Sequence, residues 1–167
     1  MPFSLLRLDQ TEITAYWPSL LPLITAALPP GDDPGRDERL FTAAVSGGLQ
    51  VFAALEWEPD GEIAVKRTRL AALVTTQIAE DHIYNIKSLH VFSLYGVVSL
   101  KPDQLRSGLR QLAAYARAYG CSRISAVTAK SGVVSLLQRL AGAEALSWVA
   151  VSANTVLGSA SGEEGAG

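Results

Sequence analysis

Several features that tie sequences to particular protein classes are missing from this chain of 167 residues. It has one cysteine, Cys121, which cannot form an internal disulfide and favours a reducing compartment. It has no basic run and a formal net charge of −2, which argues against binding nucleic acid through phosphate contacts. The longest apolar run, residues 19–28, is too short to span a bilayer and contains Pro22.

The amino terminus also lacks the pattern of a signal peptide, because residues 1–8 carry a short apolar stretch that runs into Asp9 and Glu12. These absences predict a cytoplasmic protein with no nucleic-acid or membrane partner. Charged residues make up 18% of the chain and hydrophobic residues 49%, which is enough apolar surface for one substantial core. The sequence therefore predicts one domain over residues 1–157, followed by a flexible Gly/Ser/Glu tail over residues 158–167.

The first third of the chain predicts a strand and two helices. Residues 3–8 favour a strand, and Asp9 with Glu12 forms the capping box of a helix that we expect to break at Pro18 and Pro22. After a loop rich in proline and glycine, residues 36–45 favour a second helix that stops at two glycines.

The middle of the chain changes to the period of two that marks strands. Apolar residues alternate over residues 49–57, and two further apolar segments, 70–78 and 88–98, follow turn signals. These three segments predict an antiparallel meander. The last of them is apolar almost throughout, as expected for a strand buried on both faces.

Helical periodicity returns at Leu105 and ends at Gly120, with the predicted inner face formed by leucines and alanines: Leu105, Leu109, Leu112, Ala113 and Ala116. A short strand over 121–128, a helix over 133–140 and a strand over 145–156 complete the chain. The order β-α-α-β-β-β-α-β-α-β predicts an α/β fold with a mixed sheet and helices on both faces.

That order resembles the GCN5-related N-acetyltransferase (GNAT) fold. The residues that carry the resemblance most specifically are 115–124, YARAYGCSRI, and 136–142, LLQRLAG. They are similar to the end of the long central helix with the following strand, and to the next helix. The pattern is most like the degenerate GNAT-like proteins that tailed bacteriophages encode near their structural genes.

The segment before the long helix departs from the family pattern. The resemblance implies a loop of the form R/Q-x-x-G-x-G/A whose N–H groups hold the pyrophosphate of acetyl-CoA at a helix N terminus. Gln104 and Gly108 are the nearest counterparts, but the second glycine is absent and Pro102 supplies no N–H. Lys101 and Arg106 are the cations that would offset Asp103. If acetyl-CoA binds, the cofactor-binding candidates are Lys101, Gln104, Arg106 and Gly108, whereas the favoured interpretation of the segment is an ordinary helix that starts at Pro102.

The catalytic positions depart from the family in the same way. The resemblance implies a tyrosine acid on the last helix, where this chain has Leu137. His90 is the candidate general base, but a half-buried strand histidine hydrogen-bonded to a neighbour is the favoured interpretation, because a single histidine does not specify chemistry. The run Glu80-Asp81-His82 favours a solvated turn rather than a metal site, and Cys121 favours a small core residue rather than a nucleophile.

Two functional hypotheses follow, and a third stays open. The combined loss of loop, acid and base favours a non-catalytic structural or assembly protein without a cofactor, bound to other virion proteins and plausibly oligomeric. The alternative is an acetyl-CoA-dependent N-acetyltransferase with a divergent pyrophosphate loop. A partner-binding domain of a cellular complex is not separated from the first hypothesis by the sequence.

Overall fold

The computed structural model describes residues 3–29, 33–58, 67–127, 135, 138 and 139. The chain divides into two compact units, residues 1–129 and residues 130–167. In the second unit Ser135, Gln138 and Arg139 are helical, within the predicted last helix. The predicted final strand, the domain boundary at residue 157 and the tail lie outside the described residues.

Strand β1, Phe3–Arg7, leads into helix α1, Gln10–Ala26. The predicted capping box is confirmed. The Asp9 carboxylate accepts from the Glu12 N–H, and the Glu12 carboxylate accepts from the Asp9 N–H, both at 2.8 Å. These bonds satisfy two of the N–H groups that a helix start leaves without partners.

The predicted break of α1 at Pro18 and Pro22 is wrong, since the helix runs through both residues. Both prolines are exposed and lie one turn apart, so the carbonyls that lose their N–H donors are on the solvent side. The opposite side of α1 buries Ile13, Leu20 and Ile24 against the sheet. This burial offsets the missing hydrogen bonds.

Helix α2, Arg36–Val45, has the predicted bounds and ends where Gly47 takes a φ of 80°. Strands β2, Gln50–Glu58, β3, Arg67–Asp81, and β4, Ile86–Gly96, form the predicted antiparallel meander. Helix α3, Pro102–Ala118, and strand β5, Arg123–Ala126, follow. The predicted α/β class with a mixed sheet is therefore observed in the described part of the chain.

The five described strands form one sheet in the order β1-β2-β3-β4-β5. Every neighbouring pair is antiparallel except β4 and β5, which are parallel. Glu56 on β2 pairs with Arg69 on β3 at the upper end of the sheet, and Gln50 pairs with Thr76 towards the lower end. Because β4 runs upward, α3 begins at the upper end.

Two β-bulges interrupt this regular ladder. Ala71 is the extra residue of β3 opposite β2, and Phe92 is the extra residue of β4 opposite β3. A bulge leaves its extra residue unpaired and bends the strand locally. The bulge at Ala71 lies towards the upper end of the sheet, and the bulge at Phe92 lies opposite Thr75 and Thr76, near the middle of β3 and β4.

The sheet buries one apolar cluster on each face. Helices α1 and α2 cover the first, which includes Ile24, Leu40, Val51 and Leu73. Helix α3 covers the second, which is centred on Leu89, Leu112 and Cys121. The prediction of Cys121 as a small core residue agrees with its burial in this cluster.

The predicted inner face of α3 needs a correction. The buried residues are Gln104, Gly108, Leu112 and Ala116, a stripe of four at intervals of four, whereas Leu105 and Leu109 are only partly buried. The helix is rotated so that a glutamine and a glycine meet the sheet near its N terminus. The reason lies in what those two residues contact at the upper end of the sheet.

Candidate functional site

The segment that joins β4 to α3 is held to the sheet at its start. The N–H groups of Val97 and Val98 both donate to the carbonyl of Ala71, at 2.9 and 3.1 Å. Ala71 offers that carbonyl because it is the bulged residue of β3. The bulge thus fixes where the chain leaves β4 before it turns into α3.

Gln104 holds the other end of this segment. Its Oε1 accepts from the Lys101 N–H at 2.8 Å, and its Nε2 donates to Glu56 Oε1 on β2. The side-chain amide of Gln104 is therefore fully engaged inside the protein. Its backbone N–H, like that of Asp103, belongs to the first turn of α3 and has no intrahelical acceptor.

Glu56 is a buried carboxylate, with 4% of its surface exposed. Arg69 Nη2 donates to its Oε2 at 2.7 Å, while Gln104 binds its Oε1. The hydrogen bonds from Arg69 and Gln104 hold the pKa of Glu56 below its usual value of 4.5, and the positive charges of Arg69 and Lys101 act in the same direction. Glu56 is therefore an anion at neutral pH, placed below the first turn of α3.

The cations at the start of α3 differ in their partners. Arg106 Nη1 lies 3.0 Å from the Asp103 carboxylate, in a pair that is open to solvent. Lys101 is exposed. The side chain of Arg69 is 60% exposed although its guanidinium reaches the buried Glu56. The charge of Arg69 is balanced by Glu56. The first-turn N–H groups and the exposed Lys101 make this corner a set of donors with one positive charge, which suits a phosphate.

Gly108 faces β1. A Cβ on this residue would lie 3.4 Å from Leu5 Cδ1 and 3.4 Å from Phe3 Cε1. A methyl group would fit there at contact distance, whereas a larger side chain would push α3 away from β1. The structure thus brings Lys101, Gln104, Arg106 and Gly108 to the first two turns of one helix, with Gly108 on the side that packs against β1.

The sheet opens beside this corner. Strands β4 and β5 pair only between residues 88–91 and residues 123–126, although β4 continues to Gly96. Within the described residues, the upper part of β4 has β3 on one side and no strand on the other. The bulge at Phe92 lies where the pairing ends, so the opening starts at a point of irregular backbone.

His90 lies just below this opening, on β4. Leu89 and Val91 belong to the cluster under α3, so His90 between them faces the α1/α2 side. Its Nδ1 lies 3.1 Å from the hydroxyl of Ser125 on β5, the residue paired with it in the sheet. His90 is half-buried, and Ser125 gives the candidate base a hydrogen-bonded neighbour.

The other sequence candidates lie elsewhere. The Asp81 carboxylate accepts from the N–H groups of Ile83 and Tyr84, which places the Glu80-Asp81-His82 run at the tight turn of a hairpin. Leu137 lies outside the described residues. An open cleft of about 320 Å³ lies between the start of α1 and the end of α2, at the lower end of the sheet and away from α3's first turn.

Sequence reasoning missed Glu56, Arg69 and Ser125. The alternation of residues 49–57 drew attention to the face with Val51 and Leu55, but Glu56 lies on the other face. A carboxylate between the apolar residues Leu55 and Trp57 of a strand is the signal that marks it, because buried charge requires partners. Nothing local in the sequence predicts which partners the fold supplies.

Comparison with known proteins gives a likeness of structure without a likeness of sequence. Neither the protein-family models nor the curated proteins contain a match to the sequence. Similar solved structures include a ribosomal-protein-alanine N-acetyltransferase from Brucella melitensis, with 15% identity, a TM-score of 0.60 and coverage of 90% of this chain and 99% of that one. A GNAT family acetyltransferase from Staphylococcus aureus matches with 10% identity, a TM-score of 0.60 and coverage of 91% and 99%.

The chain has the GNAT fold. A third similar structure, a predicted acetyltransferase with acetyl-CoA from Clostridium acetobutylicum, covers 92% of this chain and 98% of that one, with 13% identity and a TM-score of 0.60. The resemblance to the GNAT fold stated from the sequence is therefore confirmed. At these identities the likeness establishes the fold, and function has to be argued from the site.

The comparison corrects the functional prediction. The hypothesis of a non-catalytic virion or assembly protein is wrong, because many of the structures that match this chain over nearly their whole length are acetyltransferases. The match extends to a chain with acetyl-CoA, which fits the alternative hypothesis. The predicted phage subtype has no support among these matches.

The absence of a membrane span and the presence of partner subunits are separate predictions. In the described part of the chain, no helix has the length and hydropathy needed to cross a membrane. Partner subunits and an oligomeric state stay predictions.

Proposed function

We propose that this protein is an acetyl-CoA-dependent N-acetyltransferase. The observation that supports this most directly is the corner where the first-turn N–H groups of α3 and the Lys101 cation lie beside the opening between β4 and β5. The structural likeness to acetyltransferases over nearly the full length of both chains supports the same function independently. The acceptor is an amine whose class the described residues do not specify.

The donors at the start of α3 fit the phosphates of acetyl-CoA. The N–H groups of Asp103 and Gln104 are oriented along the helix axis at its positive end, and Lys101 adds a full charge. Arg106 neutralises Asp103, which would otherwise oppose an anion. In this arrangement Gln104 contributes through its backbone, because its side chain is engaged by Lys101 and Glu56.

Gly108 contributes through packing. Its close approach to Leu5 and Phe3 sets the height of α3 above the sheet. It follows that the four cofactor-binding candidates act by different means: charge for Lys101, charge compensation for Arg106, backbone N–H for Gln104 and packing for Gly108.

Strand β4 carries the residues that act on the amine acceptor and the thioester. Acetyl-CoA supplies a thioester whose acetyl group passes to the amine nitrogen as the C–S bond breaks. With its Nδ1–H donating to Ser125 Oγ, His90 keeps a lone pair on Nε2 and takes the proton that the amine gives up. The thiolate then takes a proton from solvent. The irregular backbone at Phe92 offers a donor for the carbonyl oxygen, as bulges free backbone groups from the ladder.

Titration calorimetry with CoA tests the binding half of this proposal. The wild-type chain should bind CoA, and Lys101→Glu should weaken binding about tenfold, since reversing one charge beside a phosphate costs on the order of 1–2 kcal/mol. Arg110→Glu is the matched control, because Arg110 is exposed on the same helix about 13 Å further along the axis. Equal loss in both variants would point to a general charge effect instead of a site.

Acetyl transfer to a panel of amines tests the catalytic half. His90→Gln should lower kcat strongly while the dissociation constant for CoA stays unchanged, because the base acts on the acceptor. A wild-type protein that binds no CoA at millimolar concentration, and acetylates no amine in the panel, would refute the proposed function.

A further inference from the structure

The first turn of α3 is attached to the sheet through one side-chain bridge. Gln104 receives the Lys101 N–H on its oxygen and gives its amide hydrogen to Glu56. One end of the bridge is thus the residue that precedes the helix, and the other end is Glu56 on β2. Any shift of Gln104 would move the start of α3 relative to β2.

Glu56 is well suited to anchor this bridge. It is buried, and its second oxygen is held at 2.7 Å by Arg69, its partner in the register of β2 and β3. A buried carboxylate is costly unless it is paired, so each partner of Glu56 is strongly constrained in position. The side chains of Arg69, Glu56 and Gln104 therefore form a fixed chain of hydrogen bonds, the β2–α3 bridge.

The bridge complements the anchor at Ala71. The bulge carbonyl fixes Val97 and Val98 where the segment leaves β4, and the β2–α3 bridge fixes Lys101 where the segment enters the helix. Directly after the second anchor stands Pro102, which fixes φ and supplies no N–H. Side-chain hydrogen bonds thus hold a segment that Pro102 makes stiffer and deprives of one N–H group.

We propose that Glu56 and Gln104 are positioning residues for acetyl-CoA, which hold the first turn of α3 where its N–H groups and Lys101 meet the phosphates. This inference rests on the proposed function. Donors that are fixed before binding cost less entropy when the ligand arrives, so the bridge acts on affinity for the phosphates. Neither side chain needs to touch the ligand.

Gln104→Met tests the bridge, because methionine has similar length and removes both hydrogen bonds. We expect a dissociation constant for CoA raised about tenfold, the size of effect that losing a net hydrogen bond or two produces. The KM for acetyl-CoA should rise with it at unchanged kcat. The KM for S-acetylpantetheine, which has the thioester but no phosphate, should stay at the wild-type value.

Gln111→Met is the matched control. Gln111 lies on the same helix and its Oε1 accepts from the Leu5 N–H at 2.8 Å, so the substitution also removes a bond between α3 and the sheet. It lies about 10 Å from Gln104 along the axis. It should leave the dissociation constant for CoA unchanged even where it lowers the stability of the protein.

Glu56→Gln and Glu56→Leu separate the charge from the hydrogen bond. Gln at position 56 still accepts from Gln104 and should keep most of the affinity, whereas Leu should match Gln104→Met. The pair Glu56→Leu with Gln104→Met should be no worse than either alone, since both break one bridge. Additive losses would show that the two residues act separately and would overturn the inference.

Amide hydrogen exchange without any ligand gives a readout that does not depend on activity. Exchange of the Lys101 N–H, which loses its acceptor, and of the Leu105 N–H, which closes the first turn of α3, should be faster in Gln104→Met and unchanged in Gln111→Met. If the wild-type protein binds CoA and Gln104→Met binds it equally well with unchanged exchange, the inference fails and the proposed function stands. If the wild-type protein does not bind CoA, the proposed function fails and the inference with it.

Discussion

The two ends of helix α3 are attached to the sheet by different chemistry. At the N-terminal end, Gln104 forms a directional hydrogen bond with the buried Glu56. At the C-terminal end, Tyr115 packs edge-on against Phe52 with ring centroids 5.1 Å apart, and stacks at 4.5 Å on Tyr119. Arg7 lies over both tyrosine rings and donates to the Tyr119 hydroxyl at 3.0 Å.

This difference indicates that the two ends of α3 contribute differently, one mainly to stability and the other mainly to the position of the helix. Aromatic packing buries much area and contributes strongly to stability, but it tolerates small sliding and rotation. A bridge of charged and polar groups contributes less net free energy, yet it fixes particular atoms at hydrogen-bond distance. Under the proposed function, the end of α3 whose position matters for acetyl-CoA has the polar attachment, and the far end is held mainly by aromatic packing.

The largest effect should come from breaking the aromatic end. Tyr115→Ala removes a large ring from the cluster under α3 and should lower the free energy of unfolding by about 3 kcal/mol, as large-to-small core changes do. Urea unfolding measures this. The dissociation constant for CoA of the fraction that remains folded should be unchanged, because the bridge at the other end is intact. A change below 1 kcal/mol would mean that the C-terminal end is not the stabilising one.

A substitution at the polar end of α3 should change the free energy of unfolding less, and the size of this change should depend on pH. The pKa of Glu56 is lower in the folded protein than its usual 4.5, so its charged form stabilises the fold at pH values above 4.5, and this stabilisation is lost as pH falls through the lowered pKa. Glu56→Gln should therefore cost about 1–2 kcal/mol at neutral pH. The difference between wild type and variant should shrink in acid.

Unfolding curves at a series of pH values between neutral and strongly acid would measure that difference. A constant gap at all pH values would show that the ionised carboxylate is not what the fold uses. The matched substitution Glu80→Gln, at an exposed ion pair with Lys87, should change the stability by less than about 1 kcal/mol, as surface pairs do.

Most of the fold follows from local patterns in the sequence. The capping box at Asp9, the glycine stops of α2 and α3 and the alternation of β2 predict their elements because each is decided within a few residues. The break predicted at Pro18 and Pro22 is wrong because the cost of a proline in a helix is local, whereas the burial of α1 that offsets this cost depends on the tertiary fold. The rotation of α3 was missed for the same reason.

The site follows from the sequence only in part. Lys101, Gln104, Arg106 and Gly108 are neighbours in sequence, so a motif comparison finds them and the helix keeps them together. Glu56 is 48 residues from Gln104, and Ser125 is 35 residues from His90. Such pairings depend on strand register and helix rotation, which no local pattern encodes.

A pH effect of opposite direction should come from the aromatic end. Burial raises the pKa of Tyr115 from 10.0 to about 12. The unfolded chain therefore releases this proton earlier than the folded one, and Tyr115 loses its contribution to stability as pH rises from about 10 to about 12. Tyr115→Phe has no phenol to ionise, so wild type should weaken relative to this variant across that range. Phenolate absorbance in the folded wild type should show a last step that Tyr115→Phe lacks.

The smallest effect tests whether Gly108 serves packing or contact with a ligand. Gly108→Ala gains about 1 kcal/mol of helix propensity, and its Cβ would meet Leu5 and Phe3 at 3.4 Å, an ordinary contact distance. We therefore expect the unfolding free energy to rise by roughly 0.5–1 kcal/mol, with unchanged affinity for CoA. Gly108→Val adds a branched side chain against β1 and should be destabilising. If the alanine variant is stable but loses CoA, Gly108 must face the ligand, and the division of labour between the two ends of α3 would have to include a backbone contact two turns into the helix.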